Sequence, residues 1–269
     1  VLPKHDLLVV TDLDGSLLDE AYSFEPARPA LTALADAGIT LVLASSKTRA
    51  EMEPLAKRLG MRPPLIVENG GAILVPRQRG YQAIVTGVGH TRLRRALEEI
   101  GRETGTAVRG FSSFNPEAVA SLTGLDSEAA RLALAREHDE PFVVGDESKA
   151  AALEEAAARR GLRVTRGGKF FHLTGDTDKG QAFRKLLALL RKPRHTVGLG
   201  DALNDLPLLE AVDRPIVVPR RDSTADPELA RALPRAELAP APGPVGWNAA
   251  VMIVLAGGTL PTVSGGDAA

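Results

Sequence analysis

The stretch Leu7-Leu8-Val9-Val10-Thr11-Asp12-Leu13-Asp14-Gly15-Ser16 decides the fold. Four consecutive apolar residues read as a strand buried on both faces, which is the habit of a parallel sheet. The run stops at a polar cluster that carries two carboxylates. In open α/β sheets ligands bind just beyond the C-terminal ends of strands, so Asp12 and Asp14 stand where chemistry is expected.

The same grammar extends outward. A helix pattern over 26–37 stops at Gly38, and an apolar strand over 39–44 ends at Ser45-Ser46-Lys47-Thr48. A second helix over 49–59 closes at Gly60, and strands over 65–67 and 72–75 are joined as a hairpin through Asn69-Gly70-Gly71. The end of the chain alternates likewise, with helices over 179–191, 203–211 and 246–255 and strands over 196–199 and 215–218. The middle differs, with helices over 90–103, 127–138 and 149–160 and strands over 142–144 and 162–165. The expected fold class is therefore α/β: a Rossmann-like core with a mostly parallel sheet from residues 1–80 and 169–256, and an inserted α+β cap domain over 81–168. The Gly- and Ser-rich stretch 257–269 reads as a flexible tail. Hinges between core and insertion are expected near Gly80 and Gly167-Gly168.

Composition narrows the function classes. The 269 residues are 44% hydrophobic, enough for one large or two modest cores. A formal net charge of −1 gives no basic excess for a nucleic-acid partner, so any anion site must be a local cluster of positive groups. With no cysteine, disulfides, thiolate metal sites and cysteine nucleophiles are excluded. No basic segment followed by an apolar run suggests a secretory signal, and the apolar run 249–256 is too short to span a bilayer. A cytoplasmic location with no membrane partner is expected. Histidines 5, 90, 138 and 195 lack ligand spacing and read as structural or surface residues, and Trp247 reads as core packing.

Four polar clusters sit at strand ends or helix starts: Asp12/Asp14, Ser45-Ser46, Lys179 and Gly200-Asp201-Ala202-Leu203-Asn204-Asp205. Each alone has a plain structural reading, as a polar turn, a helix cap, a helix start or a capped loop. Together, in this order within one α/β frame, they make a phosphoryl-transfer site. A hard divalent cation overcomes the repulsion between an anionic nucleophile and a phosphate ester, and carboxylates from different strand ends suffice to hold it. Asp12 and Asp201 are the direct ligands in this reading, with Asp205 a ligand or an anchor behind them. Lys179 offsets charge on the nucleophile and phosphoryl group. Ser45, Ser46, Asn204 and the backbone at Leu13 and Gly15 are the phosphate-binding candidates, Gly15 because its bare backbone can approach closely with its N–H toward the oxygens. Asp14, turned back from the loop, protonates the leaving alkoxide and then deprotonates the attacking water.

These motifs resemble those of the haloacid dehalogenase superfamily, and an insertion between the second and third of them resembles its Cof-like branch. Ser16 stands where Thr is more usual, which keeps the hydroxyl. A narrower resemblance, to the mannosyl-3-phosphoglycerate phosphatase family, rests on five segments: 45–51, 67–72, 123–125, 135–142 and 171–175 leading into Asp178-Lys179-Gly180. Ser45-Ser46-Lys47 in place of Thr-Gly-Arg is the main discriminator.

The resemblance implies hydrolysis of 2-O-mannosyl-3-phosphoglycerate, and of its glucosyl analogue, to a compatible solute and phosphate. It implies an aspartyl phosphate on Asp12, with Asp14 as acid and then base. It implies Mg2+, replaceable by Mn2+ or Co2+, on Asp12, Asp201 and the carbonyl of Asp14, with Asp205 in support. The partner is a small phosphorylated glycerate-sugar, and the enzyme is a monomer or homodimer. For the substrate's carboxylate the candidates are Lys47, Arg109, Arg136, Arg166 and His172. Thr123, Gly124, Leu125, Glu68, Asn69 and Gly70 are further candidates for the glycerate and sugar. A general sugar-phosphate phosphatase and a phosphomannomutase-type phosphotransferase are the rival readings.

Overall fold

A computed structural model describes residues 6–167, 170–190 and 195–263. These form two compact units, one within Val1–Ser45, Pro63–Leu65 and Lys179–Ala269, the other within Ser46–Arg62 and Ile66–Asp178. The second unit takes in the segment 81–168 and also residues on either side of it.

In chain order the first unit opens with β1 (Leu7–Thr11), α1 (Arg28–Asp36) and β2 (Thr40–Ala44). There follow α2 (Arg49–Arg58), β3 (Leu65–Val67), β4 (Ala72–Pro76), β5 (Tyr81–Val85), α3 (His90–Thr104) and β6 (Val108–Gly110). Next come α4 (Pro116–Thr123), α5 (Ser127–Ala133), β7 (Asp139–Val144), α6 (Ala150–Ala158), β8 (Leu162–Gly167) and β9 (Phe170–Gly175). The first unit resumes with α7 (Lys179–Leu189), β10 (His195–Gly200), α8 (Leu206–Leu209), β11 (Arg214–Val217), α9 (Pro227–Ala232), β12 (Glu237–Leu238) and α10 (Gly243–Leu255).

Five strands of the first unit run parallel in the order β12-β11-β10-β1-β2. Val9 lies between Val197 and Leu41, so β1 is central and its apolar run is buried on both faces. The chain leaves β1 for β2 on one side and reaches β10 on the other. Asp12 and Asp201 therefore emerge at the point where strand order reverses, the crevice in which α/β sheets bind ligands. The α-helices behind it are tied as well as packed: Trp247 of α10 is fully buried, and Asn248 accepts from the Ala30 N–H of α1 at 2.9 Å.

In the second unit the antiparallel sheet β6-β7-β9-β8 carries α3 and α6. Leu93, Ala96, Leu97 and Ile100 fall on one face of α3 by the i, i+3, i+4, i+7 rule and pack with Leu153, Phe142 and Leu173. A smaller core joins Phe111, Val119, Ala130 and Phe170. β4 and β5 form an antiparallel pair, while the expected turn between β3 and β4 is a 3-10 turn over Glu68–Gly70.

Local chemistry explains the helix starts. Thr48 and Glu51 form a reciprocal capping box on α2, so the cap is Thr48 rather than Ser45 or Ser46. Asn115 and Asp126 cap α4 and α5.

Some expected elements are corrected. The helix over 127–138 stops at Ala133, because the N–H groups of Glu137 and His138 donate to the Glu68 carboxylate instead of continuing the helix. The helix over 203–211 is a 3-10 turn followed by the four-residue α8. α4, α9, β5, β6, β9 and β12 were not anticipated as elements; β5 is largely exposed and lacks an apolar alternation. Of the expected tail, residues up to 263 turn back along β12, with Leu238 N–H on the Pro261 carbonyl at 2.8 Å and Val263 N–H on the Ala236 carbonyl at 2.9 Å. Residues 264–269, His5 and Gly168 lie outside the described residues. Among the described residues no helix is long and apolar enough to cross a membrane.

Candidate active site

β1 delivers Asp12 as its chain leaves the sheet, held by an N–H bond to the Leu199 carbonyl at 2.9 Å. Behind it Thr11 donates to the Asp12 carbonyl at 2.7 Å and accepts from the Trp247 indole at 2.9 Å. The buried tryptophan is thus more than filler, since it fixes the hydroxyl that fixes the Asp12 backbone.

β10 delivers the opposite side. Asp201 follows its last residue, and Asp205 sits on the 3-10 turn Leu203–Asp205 with Asn204 beside it. One oxygen of Asp205 accepts the N–H groups of Asp201 (3.2 Å) and Ala202 (3.3 Å), so this carboxylate braces the loop. Its other oxygen accepts from Lys179 Nζ at 2.6 Å, and Lys179 also donates to Asp12 Oδ1 at 2.6 Å. Lys179 is 1% exposed at the start of α7, so the lysine bridges two carboxylates away from water.

The charge count of this cluster is unbalanced. Ligand oxygens of Asp12, Asp201 and Asp205 lie within 4.8 Å of one another, against a single ammonium. Burial, with repulsion from Asp205 and against the pull of Lys179, pushes the Asp12 carboxyl up to about 7. Burial, then Asp205 and Asp12, push Asp201 well above the usual carboxylate range. Burial alone would lower the Lys179 ammonium, yet Asp12 and Asp205 outweigh it and hold it above its ordinary value. Three crowded carboxylates, with Asp12 and Asp201 held above the usual carboxylate range, form an all-oxygen donor set that suits a hard divalent cation.

The loop between β1 and α1 completes the cluster. Asp14 is exposed, and its charge is felt at Asp12 and Asp201. Ser16 donates to Asp201 Oδ1 at 3.4 Å. Gly15 has φ +81, and a Cβ built on it would lie 2.8 Å from the Asp201 Cγ, inside contact distance. Its N–H donates to the Leu18 carbonyl at 3.1 Å, which corrects the expectation that this N–H faces a phosphate; glycine is needed here to make room for Asp201. Leu13 has a buried side chain, and its carbonyl accepts from Ser16 and Leu18. Ser45 follows β2 and is buried.

The remaining candidates lie in the second unit, where the structure sorts them. Arg136 donates to the Ser46 carbonyl at 2.6 Å and approaches Asp139 at 3.5 Å. Asn69 and His172 donate to that same Asp139 at 3.2 and 2.8 Å. Glu68, buried beside them, accepts the Glu137 and His138 N–H groups; burial pushes it up to about 7 despite Arg136. Its backbone N–H rests on the Lys47 carbonyl at 3.0 Å, and Gly70 accepts from Thr177 at 3.0 Å. Glu68, Asn69, Arg136 and His172 thus form one cluster. The others have local partners instead. Arg109 stacks over Phe114 at 4.0 Å, and Arg166 pairs with Glu147 at 2.8 Å. Thr123 donates to the Val119 carbonyl and accepts from Leu125, while Gly124 ends α4 in the left-handed region. Sequence reasoning missed Asp139, whose partners are distant in the chain, and the Glu140 carboxylate that ties His90 to Ser112.

The comparisons agree with this architecture. Residues 9–93 match a family model described as haloacid dehalogenase-like hydrolase. A solved haloacid dehalogenase-like hydrolase from B. subtilis superposes with a TM-score of 0.67 at 18% identity, covering 92% of this chain and 98% of that one. Fold and site define the class, a haloacid dehalogenase-like hydrolase. The chain is 41% identical over 266 residues to a glucosyl-3-phosphoglycerate/mannosyl-3-phosphoglycerate phosphatase of Methanococcoides burtonii, covering 93% of this chain and 96% of that protein. It is 35% identical to a protein of the same description from Persephonella marina, covering 93% and 97%. The chain belongs to this family of haloacid dehalogenase-like phosphatases.

Proposed function

We propose that this phosphatase hydrolyses 2-O-mannosyl-3-phosphoglycerate and its glucosyl analogue to the corresponding glycosylglycerate and phosphate, a step in making a compatible solute. The observation that carries the chemistry is the Lys179 bridge between Asp12 and Asp205 beside Asp201, at the ends of β1 and β10. The substrate follows from the relatives' names. Lys179 engages Asp12 Oδ1 and so orients Oδ2 to attack phosphorus. Asp14 gives its proton to the departing glycerate oxygen and takes one from the water that later cleaves the aspartyl phosphate. Ser45, Ser46 and Asn204 hold the phosphoryl oxygens. Asp12, Asp201, Asp205 and the Asp14 carbonyl would hold Mg2+, or Mn2+ or Co2+ with the same taste for oxygen; bound there, the ion neutralises phosphoryl charge.

The inserted residues 81–168 are the proposed specificity domain. The enzyme is placed in the cytoplasm, as a monomer or homodimer with no nucleic-acid or membrane partner. The test is phosphate release from mannosyl- and glucosyl-3-phosphoglycerate and from a panel of hexose phosphates, with and without EDTA. Metal-dependent release confined to the glycosylated phosphoglycerates is expected. Equal release from hexose phosphates would make it a general sugar phosphatase, and a sugar bisphosphate product would make it a mutase.

A further inference from the structure

The cluster around Asp139 is costly to build. Its carboxylate is fully buried on β7, and Oδ2 collects His172 Nδ1 at 2.8 Å, Asn69 Nδ2 at 3.2 Å and Arg136 Nη1 at 3.5 Å. Oδ1 is buried with no hydrogen-bond partner among the described residues. A half-satisfied carboxylate is a poor choice for stability alone. Opposite it, Glu68 and Asn69 both hold φ near +50, followed by Gly70 at +93, a left-handed run that is unfavourable for side chains with a Cβ. The Glu68 carboxylate and the Asn69 amide each lock this turn, one onto the Glu137 and His138 N–H groups and the other onto Asp139. Backbone strain and an unsatisfied buried charge in one place are what a functional array carries and a packing core avoids.

The three donors that meet on Asp139 are of the kinds that grip a carboxylate and its neighbouring hydroxyls: a guanidinium, an imidazole and an amide. On Arg136 the array reaches the carbonyl of Ser46. His172 Nδ1 is committed to Asp139, while Nε2 faces Gly167, where a Cβ would come within 3.2 Å of it. We infer that Asp139 is the positioning residue of the second unit, holding Asn69, Arg136 and His172 in one array that binds the glycerate and sugar end of the substrate. This rests on the proposed function.

The test uses Asp139→Leu, which removes both acceptor oxygens, and Asp139→Asn, which keeps one. KM for mannosyl- and glucosyl-3-phosphoglycerate should rise by about tenfold or more in Asp139→Leu, the loss expected when a set of hydrogen bonds is no longer oriented. kcat should change far less, and Asp139→Asn should recover much of the KM. Nitrogen-15 spectra should show the Nδ1–H tautomer of His172 in the wild type and its loss in Asp139→Leu. An unchanged KM and tautomer in both variants would overturn the inference. So would equal losses of kcat/KM on these substrates and on p-nitrophenyl phosphate, which has neither glycerate nor sugar, because that pattern marks a structural role. If Asp139→Leu does not fold, Asp139→Ala takes its place, with the same rise in KM and loss of the His172 Nδ1–H signature expected, and an unchanged KM and spectrum equally fatal. A wild-type enzyme that releases no phosphate from either glycosylated phosphoglycerate overturns the proposed function instead, and the His172 spectra alone then decide the positioning claim.

Discussion

Replacing Gly15 by Ala tests how tightly the β1 loop is fitted to Asp201. Two costs separate cleanly. The first is conformational: Gly15 has φ +81, and an L-residue there costs about 1–2 kcal/mol. The second is steric: the new Cβ would lie 2.8 Å from the Asp201 Cγ and closer still to its Oδ2, whereas ordinary contact begins at 3.4 Å, so Asp201 must retreat by at least about 0.6 Å, and by more at Oδ2. A carboxylate at the end of a side chain can do this without unfolding the protein, but it then no longer meets Asp12 and Asp205 around one cation. Misplacement on the order of 1 Å costs about a hundredfold in rate, so Gly15→Ala should lose roughly ten- to a hundredfold in kcat/KM. Gly38→Ala is the control, with φ +65 and nothing within 4 Å of the added Cβ. Urea denaturation should show a similar loss of about 1–2 kcal/mol in both variants, and phosphate-release assays a defect in Gly15→Ala alone. Gly15→Ala with kcat/KM equal to that of Gly38→Ala would refute the reasoning.

Lys179→Met leaves Asp12 and Asp205 buried without their shared ammonium; stability should drop by about 3–5 kcal/mol and kcat by roughly a hundredfold or more, measured by denaturation and by initial rates at saturating metal. Glu68 gives a pH signature. Its folded value of about 7 exceeds the ordinary 4.5, so its protonated form is favoured by folding; the contribution is full below 4.5 and is lost as pH rises through 7. Wild type should therefore lose up to about 3 kcal/mol relative to Glu68→Gln between those limits, and an unchanging difference across pH would reject the assignment. Trp247→Phe removes the donor to Thr11 and trims the core, so about 2–3 kcal/mol of stability should go while kcat falls much less, a split that thermal melts and kinetics resolve.

The first unit was legible because its signals are local. Leu7–Val10 is an apolar run that only a doubly covered strand needs, and the strand-end positions of Asp12, Ser45 and Asp201 follow from it. The lysine could be placed at a helix start, but no sequence pattern says that Lys179 spans Asp12 and Asp205, since that depends on how α7 approaches β10. Gly15 was read as a close approach to phosphoryl oxygens; the close neighbour in the structure is the Asp201 carboxylate. In the second unit the helix after Ser127 reads on to His138 because its residues favour helix; a carboxylate 69 residues away takes the N–H of Glu137 and ends the pattern. Asp139 was illegible for the same reason: strand β7 hides it among residues that look ordinary, and its role appears only when Asn69 and His172 arrive from other elements.

The central claim is that Asp12 carries the phosphoryl group. Quenching the enzyme in acid during turnover of mannosyl-3-phosphoglycerate, followed by peptide mass spectrometry, tests it most directly. A phosphate adduct on the peptide containing Asp12, absent from Asp12→Asn, is the predicted result. Phosphate release by Asp12→Asn at the wild-type rate, or an adduct on any other residue, would contradict it.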